Sequence, residues 1–173
     1  MNSEWLYEID DYGETPLTRV AKSGHMEVSN ILFFQGIEDA LKGILDLPPL
    51  HRAAYWGYED GVKELLNDGA DPGAVDVQGE TPLHKAARLG NKEAAIALIE
   101  GGAEVDAPNA LGMTPLHWAA LTGQLQLVEL LLEQGANVFS RDWVSGGMTP
   151  LDFARLMRYT DICDVLKRHA SIW

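Results

Sequence analysis

The stretch that determines the fold is residues 81–102, TPLHKAARLGNKEAAIALIEGG. Thr81 can cap the N-terminus of a helix, and Pro82 fits the first helical position, where a missing N–H group has no cost. Gly90 is expected to end this short helix, and a second helix follows with apolar residues at helical spacing. Gly102 supplies the left-handed turn that closes the second helix. The stretch therefore predicts a helix-turn-helix unit.

The Pro-Leu pair of this unit occurs five times in the chain. The first four prolines are 33 residues apart and the last follows after 35, at Pro16, Pro49, Pro82, Pro115 and Pro150. A glycine series keeps the same 33-residue step, at Gly36, Gly69, Gly102 and Gly135. Two residue types in phase indicate an internal repeat, in which each unit buries its apolar faces against its neighbours. We predict one domain, residues 1–173, with repeats at about 10–42, 43–75, 76–108, 109–141 and 142–173.

Two of these units carry nearly the same heptapeptide, TPLHKAA at 81–87 and TPLHWAA at 114–120. With the 33-residue period, they resemble the ankyrin-repeat signature. Weaker copies are TPLTRVA (15–21), PPLHRAA (48–54) and TPLDFAR (149–155). The resemblance implies an all-α ankyrin-repeat solenoid of about five helix-turn-helix repeats with hairpin or loop tips. It is specific for the fold and says little about function.

Several positions depart from the repeat pattern. Thr18 and Asp152 replace the histidine in the first and last units, as expected if these units cap the stack, although a fragment of a longer array is an alternative. Before the second unit, IEDALKGILDL (37–47) has helical periodicity and Pro48 replaces threonine, so a turn of helix is expected there instead of a hairpin. The last tip, residues 140–150, contains two extra residues. Insertions in repeat arrays usually fall on loops of the binding face.

Three histidines, His51, His84 and His117, occupy one repeat position. Equivalent side chains of stacked helices lie about 8–10 Å apart. One zinc ion needs its nitrogen ligands at about 2.0–2.1 Å, so these residues are not expected to share a metal. In ankyrin-like repeats the histidine orders the turn by hydrogen bonding, and the resemblance implies this structural role here.

The sequence has no recognisable catalytic or cofactor motif. It lacks the nucleophile-elbow, zinc-protease and Cys-x-x-Cys patterns, and its glycine pairs at 101–102 and 146–147 are typical of turns. Cys163 is the single cysteine, so an internal disulfide is excluded. We therefore expect neither enzyme activity nor a cofactor.

The formal net charge of −13 disfavours nucleic acid and anionic membranes as partners, whereas a basic partner is compatible with it. No apolar run approaches the about 20 residues of a membrane helix, and the N-terminus does not resemble a secretory signal. A cytoplasmic location is expected, with the nucleus as the alternative.

Ankyrin-like stacks commonly bind proteins through a concave side made of hairpin tips and the exposed ends of the first helices. At these positions the sequence is largely apolar, whereas solvent-facing tips are normally polar, and such a patch usually marks an interaction site. The predicted partner-binding residues are Tyr55, Trp56, Leu89, Met113, Leu121, Trp143, Leu156 and Met157.

Two functional hypotheses follow from this surface. The first is a protein-interaction module, acting as adaptor, scaffold or inhibitor. The second is a self-associating structural protein that uses the same surface to form a homodimer. A third interpretation is purely structural, with the side chains of Val77, Leu111 and Val144 folding back onto neighbouring tips.

Overall fold

The computed structural model describes residues 47–171, which form eight α-helices without a strand. The helices are α1 (Pro49–Trp56), α2 (Glu59–Asn67), α3 (Pro82–Leu89), α4 (Lys92–Glu100), α5 (Pro115–Thr122), α6 (Leu125–Glu133), α7 (Pro150–Leu156) and α8 (Thr160–Ala170). The predicted all-α repeat solenoid is confirmed. The first predicted repeat (10–42), Thr18 and the segment 37–46 lie outside the described residues.

The eight helices form two layers. The first helices of the repeats, α1, α3, α5 and α7, pack against one another in chain order, and we call them the inner helices. The second helices, α2, α4, α6 and α8, form the outer layer and pack against their own inner helix and their neighbours. The core between the layers is continuous, with Leu83, Leu98, Leu116 and Leu131 fully buried.

Small residues let the inner helices approach closely. Ala86 and Ala119 are completely buried where consecutive inner helices meet. Gly90 ends α3 in the left-handed conformation (φ 79°), and a Cβ there would lie 2.3 Å from Oε1 of Gln124 in the next repeat. Glycine is therefore favoured at this turn by its backbone angle, whereas the end of the flexible Gln124 side chain could move aside for a larger residue.

Among residues 47–171, no helix is long and apolar enough to cross a membrane.

Candidate binding surface

Each hairpin tip is shaped by one Asp or Asn side chain. In the third repeat, Oδ1 of Asp76 accepts hydrogen bonds from the backbone N–H groups of Gln78 and Glu80, both at 2.9 Å. Asn109 bonds in the same way in the fourth repeat. Asp142 does so in the fifth, where its two carboxylate oxygens span the longer turn that holds the insertion. Sequence reasoning missed this role, although each tip has an Asp or Asn at its start.

The tips are also bonded to one another. The N–H of Ala110 donates to the carbonyl of Gln78 at 3.2 Å, and the N–H of Trp143 donates to the carbonyl of Leu111 at 2.8 Å. These are single bonds between successive tips and do not form a regular strand ladder. They hold the tips in a row along the inner helices.

Buried histidines link each inner helix to the following tip. Nδ1 of His84 accepts from the backbone N–H of Thr81 at 3.0 Å and lies 2.8 Å from its hydroxyl, while Nε2 donates to the carbonyl of Met113 at 2.9 Å. Because a carbonyl can only accept, Nε2 carries the proton in the neutral ring. His117 makes the same set of contacts with Thr114 and the carbonyl of Met148.

His51 keeps only one of these three contacts. Its Nε2 donates to the carbonyl of Glu80 at 2.8 Å, but its buried Nδ1 has no partner among the described residues. The physical reason is Pro48, which has neither a backbone N–H nor a hydroxyl to donate. Burial lowers the pKa of His51, as it does for His84 and His117, so all three rings favour the neutral form.

In the fifth repeat the histidine position is filled by Asp152. Its Oδ2 accepts from the backbone N–H of Thr149 at 3.0 Å and from the Thr149 hydroxyl at 2.7 Å. The carboxylate therefore caps α7, as histidine caps α3 and α5. Because a carboxylate only accepts hydrogen bonds, Asp152 lacks the N–H group with which histidine donates to the carbonyl of a following tip.

A buried ion cluster lies where the third tip meets α3. Nζ of Lys85 is 2.6 Å from Oδ2 of Asp76 and 2.5 Å from Oε2 of Glu80, and all three side chains are almost completely buried. Burial alone would raise the pKa of Asp76, but hydrogen bonds from Lys85 and from the N–H groups of Glu80 and Gln78 hold it below its ordinary value. Nothing in the repeat pattern around Lys85 predicts that this lysine is internal.

Arg88 connects this cluster to the next repeat. Its guanidinium lies 3.9 Å from Oε2 of Glu80 and 5.1 Å from the centre of the Trp118 ring. A cation over an indole face at this distance is attracted by the negative charge of the ring face. The contacts show that tips and inner helices share one side of the stack.

We call this side the inner surface. It is defined by the exposed apolar side chains Leu89, Leu111, Trp143, Val144, Leu156 and Met157. Among the predicted partner-binding residues, Trp143 and Leu156 are the most accessible, at 67% and 65% exposed. Tyr55, Trp56 and Leu121 are half-buried at equivalent helix ends, and the Tyr55 and Trp56 rings pack edge to face with centres 5.3 Å apart.

The expected exposure of Met113 is wrong. Its side chain is only 6% exposed. Glu80, at the equivalent position of the preceding tip, is buried as well, because the Asp or Asn side chain at the start of each tip pulls the N–H of this residue inward. Met113 therefore belongs to the interior of the tip.

The idea that tip residues fold back onto their neighbours also fails at Val77, which is 99% exposed. Leu111 and Val144 are exposed too. Trp143 both packs on the neighbouring tip and faces solvent. Its ring covers Gly112, where a Cβ would lie 2.6 Å from the indole, yet the residue is 67% exposed.

One open cavity of about 550 Å³ lies away from the inner surface, between the end of α6 and the last helix. It is lined mainly by apolar groups, including Leu132, Val138 and Phe139, with His169 at one side. Within residues 47–171, no three His, Cys, Asp or Glu residues are grouped so that they could hold a metal ion.

Comparison with known families agrees with this architecture. The comparison with curated proteins returned no match. The family model for ankyrin repeats matches residues 50–142 with three copies, which is more than half of the chain. The matched copies correspond to the repeats whose histidines and tips are described above, and the chain belongs to the ankyrin-repeat family.

Proposed function

We propose that this protein is a non-catalytic interaction module, an adaptor, scaffold or inhibitor, that holds a segment of a partner protein against its inner surface. Ankyrin repeats are in general protein-protein interaction modules, so the family supports the class of function. The observation that carries the proposal is the set of exposed apolar side chains at the tips and at the ends of the inner helices, led by Trp143 and Leu156.

The apolar row is difficult to explain by stability. Isolated apolar residues on a protein surface are common, but contiguous exposed apolar patches usually mark an interaction site. Trp143 and Met157 are also residue types that contribute strongly to protein interfaces. The tip carboxylates and histidines beside them bond with each other, an arrangement that supports a rigid binding platform better than a reactive centre.

Self-association through the same surface is the second candidate, because an apolar row can also mate with its own copy. The two candidates differ in the mass of the purified protein at micromolar concentration. A stable dimer that becomes a monomer when Leu156 is replaced by Ala would favour self-association.

The interaction module is tested by recovering partners of the full chain from native lysate and titrating a purified partner. We expect Leu156→Ala to weaken binding by about 1–2 kcal/mol, roughly five- to thirtyfold, with an unchanged unfolding midpoint. Phe139→Ala is the matched control, because Phe139 is a similarly exposed apolar residue that lies by the cavity and not on the inner surface. Equal losses in the two variants would contradict the proposed surface.

A further inference from the structure

Charge is divided unequally between the two helix layers. The four inner helices of the described chain carry four Lys or Arg residues and a single carboxylate, Asp152. The four outer helices carry nine Asp or Glu residues and four Lys or Arg residues. The acidic character of the protein therefore belongs mainly to the outer layer.

The carboxylates of the described tips do not restore negative charge to the inner surface. Asp76 and Glu80 are buried against Lys85, and Asp142 is buried within its own turn. Asp152 caps α7 and lies 3.5 Å from the guanidinium of Arg155. Each of these carboxylates therefore already forms an ion pair or hydrogen bonds within the protein.

The cations of the same side are more accessible. The Arg88 side chain is 30% exposed and lies over the Trp118 ring. Arg155 is exposed on α7, the last inner helix, whereas the equivalent Ala87 and Ala120 of the preceding repeats are completely buried. Arg141 is exposed at the fifth tip, where its Nη1 donates to the carbonyl of Gly147 at 2.6 Å. Accessible cations therefore border the exposed apolar row, and two of them, Arg88 and Arg155, are also the ion-pair partners of the less exposed Glu80 and Asp152.

We propose that the inner surface binds an acidic protein segment in which Asp or Glu residues alternate with aromatic or aliphatic residues. The inference rests on the proposed function and specifies its partner. The apolar side chains of such a segment would cover Trp143, Leu89 and Leu156, while its carboxylates would approach Arg88 and Arg141. The acidic outer layer would repel the same segment, so that charge directs it to one face of the stack.

An acidic partner is the opposite of the basic partner that the total charge of the protein suggests. A net charge of −13 favours a basic partner when the protein is treated as a uniform sphere. At close range, screening by salt limits each charge to neighbours within about 8–10 Å, so the local cations decide what the inner surface accepts.

The test uses the full chain and three short fluorescent peptides in a binding titration at physiological ionic strength. The first peptide alternates Asp or Glu with Phe or Leu. The second replaces each acid by Lys, and the third keeps the acids and replaces each apolar residue by Ser. We expect the first to bind at least about tenfold more tightly than either of the others. A second peptide that binds as well as the first would overturn the proposal.

Substitutions identify the face that is used. Arg88→Gln should weaken the first peptide about three- to tenfold, and Arg88→Lys should retain most of the affinity because it keeps the charge. The matched control is Lys63→Gln, which removes one exposed cation from the outer helix α2. An equal loss in this control would overturn the assignment to the inner surface. Unfolding midpoints measured for each variant separate lost binding from lost folding.

Three further outcomes are informative. A single-stranded oligonucleotide that binds as tightly as the first peptide would contradict the proposal, because it would reveal a general site for polyanions. If the Lys peptide binds and Leu156→Ala abolishes its binding, the interaction module stands and only the acidic partner is wrong. If no peptide binds and recovered partners are insensitive to Leu156→Ala, the proposed function itself fails.

Discussion

The joint between the second and third repeats and the joint between the third and fourth use the same residue with different results. His51 and His84 both donate from Nε2 to a carbonyl of the next tip, at 2.8 and 2.9 Å. His84 also accepts from Thr81, whereas Nδ1 of His51 has no partner in the described part of the chain, because Pro48 stands in place of the threonine. A repeated residue therefore does not guarantee a repeated contribution to stability. The predictions below test how far the two joints differ.

The largest effect is expected from Lys85→Ala. The substitution leaves Asp76 and Glu80 buried without their cation, and breaking a buried ion pair in this way typically costs about 3–5 kcal/mol. Urea unfolding of the full chain measures the loss. Arg155→Ala removes an exposed cation and serves as the control, with an expected change below about 1 kcal/mol. A similar small change for Lys85→Ala would show that the cluster adds little to the joint.

Removing the two histidine rings compares the joints directly. We expect His84→Ala to destabilise by about 2–3 kcal/mol, because buried donors at Thr81 and the carbonyl of Met113 lose their partners. His51→Ala should cost only about 1 kcal/mol, since one hydrogen bond is lost. Unfolding free energies of the two variants give the difference, and equal losses would contradict the contrast between the joints.

Acid should lower the free energy of unfolding by protonating the same histidine rings. Burial lowers the pKa of His51, His84 and His117, so the folded protein binds fewer protons than the unfolded chain. Their contribution is fully present above the unfolded pKa of about 6.5 and is lost as pH falls below it toward the folded values. The urea midpoint should therefore fall between about pH 7 and pH 5, and less steeply in His84→Gln. A flat profile would contradict this expectation. The depressed pKa of Asp76 acts in a separate window, below about pH 4.

The smallest effect is expected from repairing the weaker joint. Pro48→Thr offers Nδ1 of His51 the N–H and hydroxyl that it lacks, and should stabilise the fold by about 0.5–1 kcal/mol. The gain is partly offset because proline restricts the unfolded chain. Pro48→Ala, which restores the N–H alone, is the control and should give a smaller gain. A destabilised Pro48→Thr variant would show that the ring nitrogen does not limit this joint.

Much of the fold could be predicted from the sequence because it depends on short-range signals. Thr81 and Pro82 mark the beginning of a helix, and Gly90 marks its end. The 33-residue period places similar signals in each unit. The inner helices begin at the predicted prolines, and the glycines that follow the first three of them adopt left-handed angles. Cap and turn chemistry acts within a few residues, so one sequence is sufficient to recognise it.

The candidate surface was less predictable because exposure there depends on contacts between repeats. The equivalence of positions correctly indicated that Leu89, Leu156 and Met157 are accessible. It failed for Met113, whose backbone is drawn inward by Asn109. It also gave no indication that Lys85 would be buried. The same position holds Trp118 in the next repeat, and only the structure shows the Arg88 guanidinium over its ring.

The single hydrogen bonds between successive tips have a mechanical consequence. The described tips are joined by separate hydrogen bonds, such as the one from the N–H of Trp143 to the carbonyl of Leu111. They form no continuous hydrogen-bond ladder over which an applied force could be distributed. Each repeat contacts only its neighbours, so tension applied to the two ends passes through every joint in series. Stretching should then extend the protein in steps, with the interface between one pair of repeats opening before the next. Among the described joints, the one between the fourth and fifth repeats has the fewest hydrogen bonds, from His117 to the carbonyl of Met148 and from Trp143 to that of Leu111, and is expected to yield first.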